Sequence, residues 1–283
     1  MIKLIILFIA IFVLIFSGLI LIYRGSRGTY KTTLTGIILL EDDPLFNSSI
    51  IQRELETKYK MKISKQTSND GIVIFTAEKY RIVILGVDAE IPKEEMETVA
   101  KMSHIWQDAE KQIAEHLSHL IITVSTNVED LVEANMQFTQ ILASVLRNTK
   151  SIGVYLGNQC LVSPKEYFLK IADTMTKDDL PLNNWIYFGL RENNGKRNGF
   201  TIGMKEFGFR EIEFLNSDKT FDEIYKIIYD LAHHVLLSRK PLKRGETFDL
   251  SATENLSLDI QAGEFQDTES MHVITNPKIS SLQ

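Results

Sequence analysis

The chain has 283 residues, of which 44% are apolar and 24% are charged, a composition typical of globular proteins rather than of disordered ones. Its net charge of −6 excludes a nucleic-acid-binding surface spread over the whole chain, and we expect no nucleic-acid partner. A single cysteine, Cys160, excludes both an internal disulfide framework and a multi-cysteine metal site.

Residues 4–23 are the first predicted element, an apolar segment without a charged residue. A helix of about twenty residues at about 1.5 Å each spans the ~30 Å hydrocarbon core of a bilayer. We therefore predict a transmembrane anchor at residues 1–23 that contacts the lipid bilayer through residues 4–23. The alternative, a cleaved secretory signal, is less favoured, because its apolar core usually has only ~7–15 residues and precedes a small-residue cleavage site.

The charges beside this segment predict its orientation. Lys3 precedes it, whereas Arg24, Arg27 and Lys31 follow it closely. Since positively charged flanks tend to stay in the cytoplasm, we expect a single-pass protein of the cell membrane whose soluble domain is cytoplasmic. Residues 24–35, which include Gly25 and Gly28, are expected to form a flexible tether.

Residues 36–250 are predicted to form an α+β domain, a sheet-and-helix sandwich with lobes at about 36–125 and 126–250. The first lobe should contain a strand at 36–40, a helix starting near Asn47, strands at 72–76 and 81–87, and one long helix from Lys93 to about Leu117. The acidic triplet at 41–43 is expected to be a solvated turn, because no second ligand cluster has the spacing of a calcium loop.

Residues 116–124 connect this long helix to a strand that we place at the centre of the fold. The run of leucine, isoleucine and valine there predicts a strand buried on both faces, since a half-exposed strand would alternate with polar residues. His116 and His119 are three residues apart, whereas two histidine ligands on one helix face are usually four apart. We therefore expect structural roles for both histidines and predict no metal site.

The second lobe is predicted to begin with a helix at 129–147 and a strand at 152–156. Cys160 is interpreted as a small buried hydrophobe, because the sequence shows no neighbouring base that would activate it as a nucleophile. Strands are then expected at 185–191, 200–204 and 210–214, followed by a helix with an N-cap at Ser217 or Asp218. In the third strand Glu211 and Glu213 alternate with apolar residues, which predicts a half-exposed edge.

Residues 251–283 hold five acidic residues and one lysine. The alternating apolar residues near their start predict one final strand, and the remainder is expected to be a flexible acidic tail.

Two segments resemble the two hallmark segments of a bacterial family, the domain of unknown function 4261. The first is IWQDA at 105–109 leading to HLSHLIITV at 116–124, and the second is TIGMKEFGFREIE at 201–213. The likeness extends from about Thr35 to 245–250. The resemblance implies a bacterial α+β domain without an assigned activity, so it transfers no catalytic residues. For such a protein the predicted anchor places the chain in the inner membrane, and this anchor departs from the simplest soluble form of the family.

Two functions follow from these features. Because the chain has no catalytic fingerprint and its predicted acidic edge is exposed, we favour a non-enzymatic protein-binding module at the inner membrane face, with an immunity or regulatory role. The alternative is a hydrolase that uses Glu211 and Glu213 with His119 or His116 as acid and base. Gly203 and Gly208 match no phosphate-binding motif, so no cofactor is predicted.

Overall fold

The computed structural model describes residues 30–69, 71–250 and 254–277. The predicted anchor at 1–23 and the first half of the predicted tether, residues 24–29, lie outside these residues. Of the described half, residues 32–35 belong to the first strand rather than to a flexible tether. Among the residues that are described, no helix is both long and apolar enough to cross a membrane. The described chain has an α+β fold with two sheets and seven α-helices, which confirms the predicted fold class.

The chain divides into two compact units. The first extends to Gly157 and also includes Val162–Leu169, whereas the second consists of Asn158–Leu161 and the chain from Lys170 onward. This boundary lies later than the predicted one at 125/126. The reason is strand pairing, because the strand after residue 150 pairs with the first strand of the chain and so completes the first sheet.

The first sheet has seven strands, in the order β2-β3-β4-β5-β1-β6-β7. The strands are β1 (Thr32–Leu40), β2 (Ile63–Asn69), β3 (Ile72–Ala77), β4 (Tyr80–Val87), β5 (Ser118–Thr126), β6 (Ser151–Leu156) and β7 (Leu161–Pro164). The helices are α1 (Ser48–Thr57), α2 (Lys93–Met102), α3 (Ala109–Ile113), α4 (Leu131–Arg147) and α5 (Lys165–Thr174).

Strand β5 is the fourth of the seven strands and pairs with β4 on one side and β1 on the other. Eight of its nine residues are buried, as the predicted central strand requires. One face of the sheet packs against α4, since a Cβ atom added to Gly36 would lie 3.1 Å from the Phe138 ring and 3.3 Å from Leu142. Ile122 pairs with Gly36 and therefore points to this covered face.

The predicted long helix from Lys93 to Leu117 is two helices, α2 and α3. Asp108, just before α3, has a left-handed backbone with φ of 55°, which a continuous helix excludes. The Trp106 N–H donates to Ser103 Oγ at 3.2 Å in the connecting segment. The apolar periodicity continues across this break, because both helices contribute buried residues to one cluster with Leu39 and Tyr155.

The second sheet has six strands, in the order β11-β12-β13-β10-β9-β8. They are β8 (Tyr187–Asn193), β9 (Lys196–Ile202), β10 (Ile212–Ser217), β11 (Thr247–Asp249), β12 (Glu254–Ala262) and β13 (Glu269–Pro277). The α-helices of this part of the chain are α6 (Leu182–Trp185) and α7 (Phe221–Ser238). Thr220 and Glu223 form a capping box that starts α7.

The segment after Leu250 differs from the predicted single strand and flexible tail. Its described residues form β12 and β13, which pair over nine residues, and β13 also pairs in parallel with β10. Met271 and Val273 are buried and give β13 an apolar side, whereas the acidic residues concentrate in and beside the turn between the two strands. A tail of this composition is ordered because its apolar residues fall on one strand face.

Candidate functional site

Glu211 lies directly before β10 and is only 1% exposed. Its Oε1 accepts hydrogen bonds from the N–H groups of Gly203 at 2.9 Å and Lys205 at 3.3 Å. Its Oε2 accepts from the Thr201 hydroxyl at 2.7 Å and from the Met204 N–H at 3.2 Å. The carboxylate therefore caps the start of a 3-10 turn at Met204–Phe207.

Burial raises the pKa of Glu211, and the four hydrogen bonds oppose this rise. The pKa of Glu206 is also raised, first by burial and further by the charge of Glu211, against a hydrogen bond from Asn158. Burial and the Glu211 charge raise the pKa of the Cys160 thiol to about 11. A thiol with so high a pKa remains protonated at neutral pH, which agrees with the predicted lack of an activated nucleophile, although Cys160 is half-buried rather than fully buried.

Glu213 is completely buried and holds the turn between β12 and β13. Its two carboxylate oxygens accept from the N–H groups of Glu264 at 2.9 Å and Phe265 at 3.1 Å. The Phe265 ring stacks on Phe200, with 4.1 Å between centroids. His272 Nε2 lies 3.5 Å from Glu213 Oε2. The Glu213 carboxylate therefore fixes the turn between β12 and β13, and this turn covers the carboxylate.

The predicted half-exposed edge at 210–214 is wrong. Strand β10 lies between β9 and β13 in the sheet, and both Glu211 and Glu213 are buried. Their alternation with apolar residues is that of a strand with a polar face, but segments from elsewhere in the chain cover this face. The acidic edge that first favoured protein binding is therefore absent.

The two histidines of the first unit also have partners inside that unit. His116 Nε2 accepts from the Ile91 N–H at 2.9 Å, so Nδ1 carries the proton and donates to the Ile113 carbonyl at 2.6 Å. His119 Nδ1 donates to the Ala89 carbonyl at 2.8 Å. Both side chains hold the loop before α2 against the sheet, as predicted for structural histidines.

The proposed catalytic set is thus divided between the units, with the histidines in the first and the two glutamates in the second. The histidine that does neighbour Glu213 is His272, which no sequence pattern indicated as a site residue. It comes close through parallel pairing of β10 with β13, and no local sequence signal reveals such pairing. Within the described ranges, no group of three or more histidine, cysteine or acidic residues could hold a metal ion.

The stability of the first unit is expected to depend on the protonation of His119. Burial lowers the pKa of His119 below its ordinary value of 6.5, and the nearby His116 lowers it further, against the hydrogen bond to Ala89. As the pH falls, His119 is therefore protonated in the unfolded chain before it is protonated in the folded unit. The unit should lose stability as the pH falls from 6.5 to the folded-state pKa of His119. Urea denaturation at a series of pH values measures this slope.

His119→Asn keeps a donor for the Ala89 carbonyl and should flatten the slope. The comparison variant is His104→Asn, which makes the same change at an exposed imidazole of the same unit. An equally steep slope in His119→Asn would show that other groups cause the acid sensitivity.

A second candidate site, which was not predicted from the sequence, is an open cleft of about 840 Å³ in the first unit. It lies between the loop that follows β1 and the C-terminal end of α4. Its lining residues include Asp43, Leu45, Phe46, Arg147 and Lys150. The only signal in the sequence was a Leu-Phe pair placed directly before the Asn47 N-cap, where a loop is normally polar.

Leu45 is 79% exposed, which makes it the most exposed of the large apolar side chains on the described surface. Ile50 on α1 is also 46% exposed. The cleft holds charges of both signs, because Lys150 pairs with Asp42 at 2.7 Å and Arg147 pairs with Glu54. An apolar group with charged neighbours at the mouth of a cleft is typical of a protein-binding surface.

Comparisons with known proteins match only one part of the chain. Neither the curated proteins nor the solved structures give a match. The matching segment includes Glu211, Glu213, His272 and the turn between β12 and β13, and it contains the resemblance at 201–213 but not those at 105–109 and 116–124. Residues 200–282 match the model of the family described as Domain of unknown function (DUF4261).

Proposed function

We propose that the chain is a protein-binding module anchored at the inner face of a bacterial cell membrane, and that it binds its partner in the Leu45 cleft. The observation that carries this proposal is the 79% exposure of Leu45 at the mouth of the cleft. Burying a leucine side chain is worth roughly 1.5–3 kcal/mol. A partner that covers Leu45 would recover this energy.

The chemistry of the cleft indicates what kind of partner fits. Leu45 and Phe46 offer an apolar surface, and Asp43 beside them is exposed. No hydrogen bond or ion pair of the Asp43 carboxylate occurs among the described residues, whereas Asp42 is paired with Lys150. The partner is therefore an extended segment that carries an apolar side chain next to a lysine or arginine.

The hydrolase alternative has less support. The oxygen atoms of Glu211 and Glu213 already accept hydrogen bonds from backbone N–H groups of their own unit. A general acid or base must instead reach the substrate with its carboxylate. Moving either group toward a substrate would leave buried N–H groups without acceptors, at a cost of about 1–3 kcal/mol each.

Leu45→Asp is expected to weaken partner binding about 30-fold, the effect of losing a binding hot spot of roughly 2 kcal/mol. The measurement uses the full chain in cells with a photo-crosslinking amino acid in place of Phe46. We expect one discrete adduct from the otherwise unchanged chain and at most a trace from Leu45→Asp. Stability should change by less than about 0.5 kcal/mol, because the side chain is exposed.

The matched control is Leu117→Asp, which changes another exposed leucine of the same unit, 56% exposed, outside the cleft lining. It should leave the adduct intact. If Leu45→Asp and Leu117→Asp reduce the adduct equally, or if neither variant reduces it, the cleft is not the binding surface.

The cytoplasmic placement is tested separately by protease digestion of spheroplasts. A domain at the inner membrane face is protected until the membrane is permeabilised. Digestion of the domain from outside would reverse the proposed orientation and leave the binding result unaffected.

A further inference from the structure

The face of the first sheet opposite α4 carries an apolar patch on strands β3 and β4. Ile72 pairs with Leu85 and Ile74 pairs with Val83, so the four side chains form a compact block on one face. All four are half-buried. We call this block the β3–β4 patch. An antiparallel sheet that faces water normally presents polar residues on that side, so the composition of this patch is unusual.

Helices α2 and α3 pack on the other end of the same face. Their cluster includes Leu39 and Tyr155, with Ile37 partly buried against it, and Ile37 and Leu39 share a strand face with Ile121 and His119 through the pairing of β1 with β5. The residues of the β3–β4 patch are not members of this cluster. The patch therefore continues the apolar surface beyond the two helices.

Charges of opposite sign lie at the two ends of the patch. Lys65 pairs with Thr76, which pairs with Arg81, so both basic groups lie at the end where β4 begins. Asp88 and Glu90 follow β4 at its other end and are exposed. Within the part of the chain that the structure describes, none of these four side chains forms an ion pair.

We propose that the β3–β4 patch binds a second copy of the chain. A two-fold axis perpendicular to the strands places one patch on the other and reverses the strand direction. The basic end of each copy then meets the acidic end of its partner, and each such contact occurs twice. A single surface with an apolar centre and opposite charges at its ends is complementary to itself only in this arrangement.

The size of the patch predicts a weak dimer. Strands β2, β3 and β4 lie about 4.8 Å apart, and seven residues of about 3.4 Å each along β4 give the patch with its charged ends a face of roughly 14 by 24 Å. This is less than the ~800 Å² per partner of a standard interface. We therefore expect a dimer that forms in the micromolar range and dissociates on dilution.

The test measures sedimentation of the full chain in detergent at a series of concentrations. The unchanged chain should shift from monomer to dimer as its concentration rises, and Val83→Lys should stay monomeric with an unchanged melting temperature. Arg81→Glu should raise the dissociation constant about tenfold by turning two attractive contacts into repulsive ones. Adding Asp88→Lys to Arg81→Glu should restore dimerisation.

Lys177→Glu makes the same charge change on an exposed residue of the second unit and should have no effect. A chain that is monomeric throughout the micromolar range would overturn the proposal. So would a folded Val83→Lys chain that still dimerises, since another surface would then form the contact. The Leu45 cleft uses other residues, so this result does not affect the proposed partner binding.

Discussion

Replacing Ile122 with aspartate is expected to unfold the first unit. Ile122 is fully buried at the centre of β5, where it pairs with Gly36 on one side and Ile84 on the other. An aspartate there would be a buried charge without a partner, and such changes cost at least about 4–5 kcal/mol. In urea denaturation of the full chain, the unfolding transition of the first unit should be missing or strongly shifted to lower urea concentration.

Two substitutions calibrate this result. Ile122→Val removes one buried methylene and should cost only about 0.5–1.5 kcal/mol. Thr33→Asp introduces the same carboxylate at an exposed position of the neighbouring strand and should change stability by less than about 0.5 kcal/mol. A normal denaturation curve for Ile122→Asp would mean that β5 is not the centre of the sheet.

The second large effect is expected from Glu211→Ala. This change leaves the N–H groups of Gly203, Met204 and Lys205 and the Thr201 hydroxyl without their acceptor. Loss of one partner in a buried polar network costs roughly 3–5 kcal/mol. Glu211→Gln keeps the shape and one oxygen, so it should destabilise the second unit less than alanine does.

The pH dependence separates the charge of Glu211 from its hydrogen bonds. Burial raises the folded-state pKa of Glu211 above its ordinary value of 4.5, so the folded protein holds this proton to a higher pH than the unfolded chain. The stability that this retained proton of Glu211 contributes to folding is fully present below pH 4.5 and is lost as the pH rises through the folded-state pKa. Glu211→Gln should not show this loss.

Glu264→Gln is the control, because it neutralises an exposed carboxylate in the same unit and should have little effect. A Glu211→Ala chain that is as stable as this control would show that the capped 3-10 turn contributes nothing. Equal pH slopes for the unchanged chain and Glu211→Gln would assign the titration to another group.

Local patterns in the sequence were sufficient to predict an element where its burial depends on its own residues. The apolar run of β5 predicted a strand buried on both faces, and the stripe of α4 predicted a helix at nearly the observed bounds. The stripe of α7 also predicted a helix, but its N-cap is Thr220 rather than the predicted Ser217 or Asp218. The break between α2 and α3 escaped prediction, because a left-handed residue at Asp108 leaves the apolar periodicity almost unchanged.

The predicted site failed for a different reason. Glu211 and Glu213 alternate with Ile212 and Phe214 as a surface strand would, and nothing nearby in the sequence shows that a turn some fifty residues later covers Glu213. The same long-range pairing brings His272 beside Glu213. The Leu45 cleft depends on the approach of the α4 end to the loop after β1, which no local pattern specifies.

The position of β1 has a consequence for how the chain is made. Leu40 pairs with Ser118 and Thr32 pairs with Thr126, so β1 leaves the ribosome long before its first partner strand exists. At ~5–20 residues per second, about 80 to 90 residues of synthesis take roughly 4–18 s. During this time an apolar strand is available for wrong pairings, and contacts so distant in sequence also slow folding. The biogenesis of this protein should therefore depend on factors that shield nascent apolar segments.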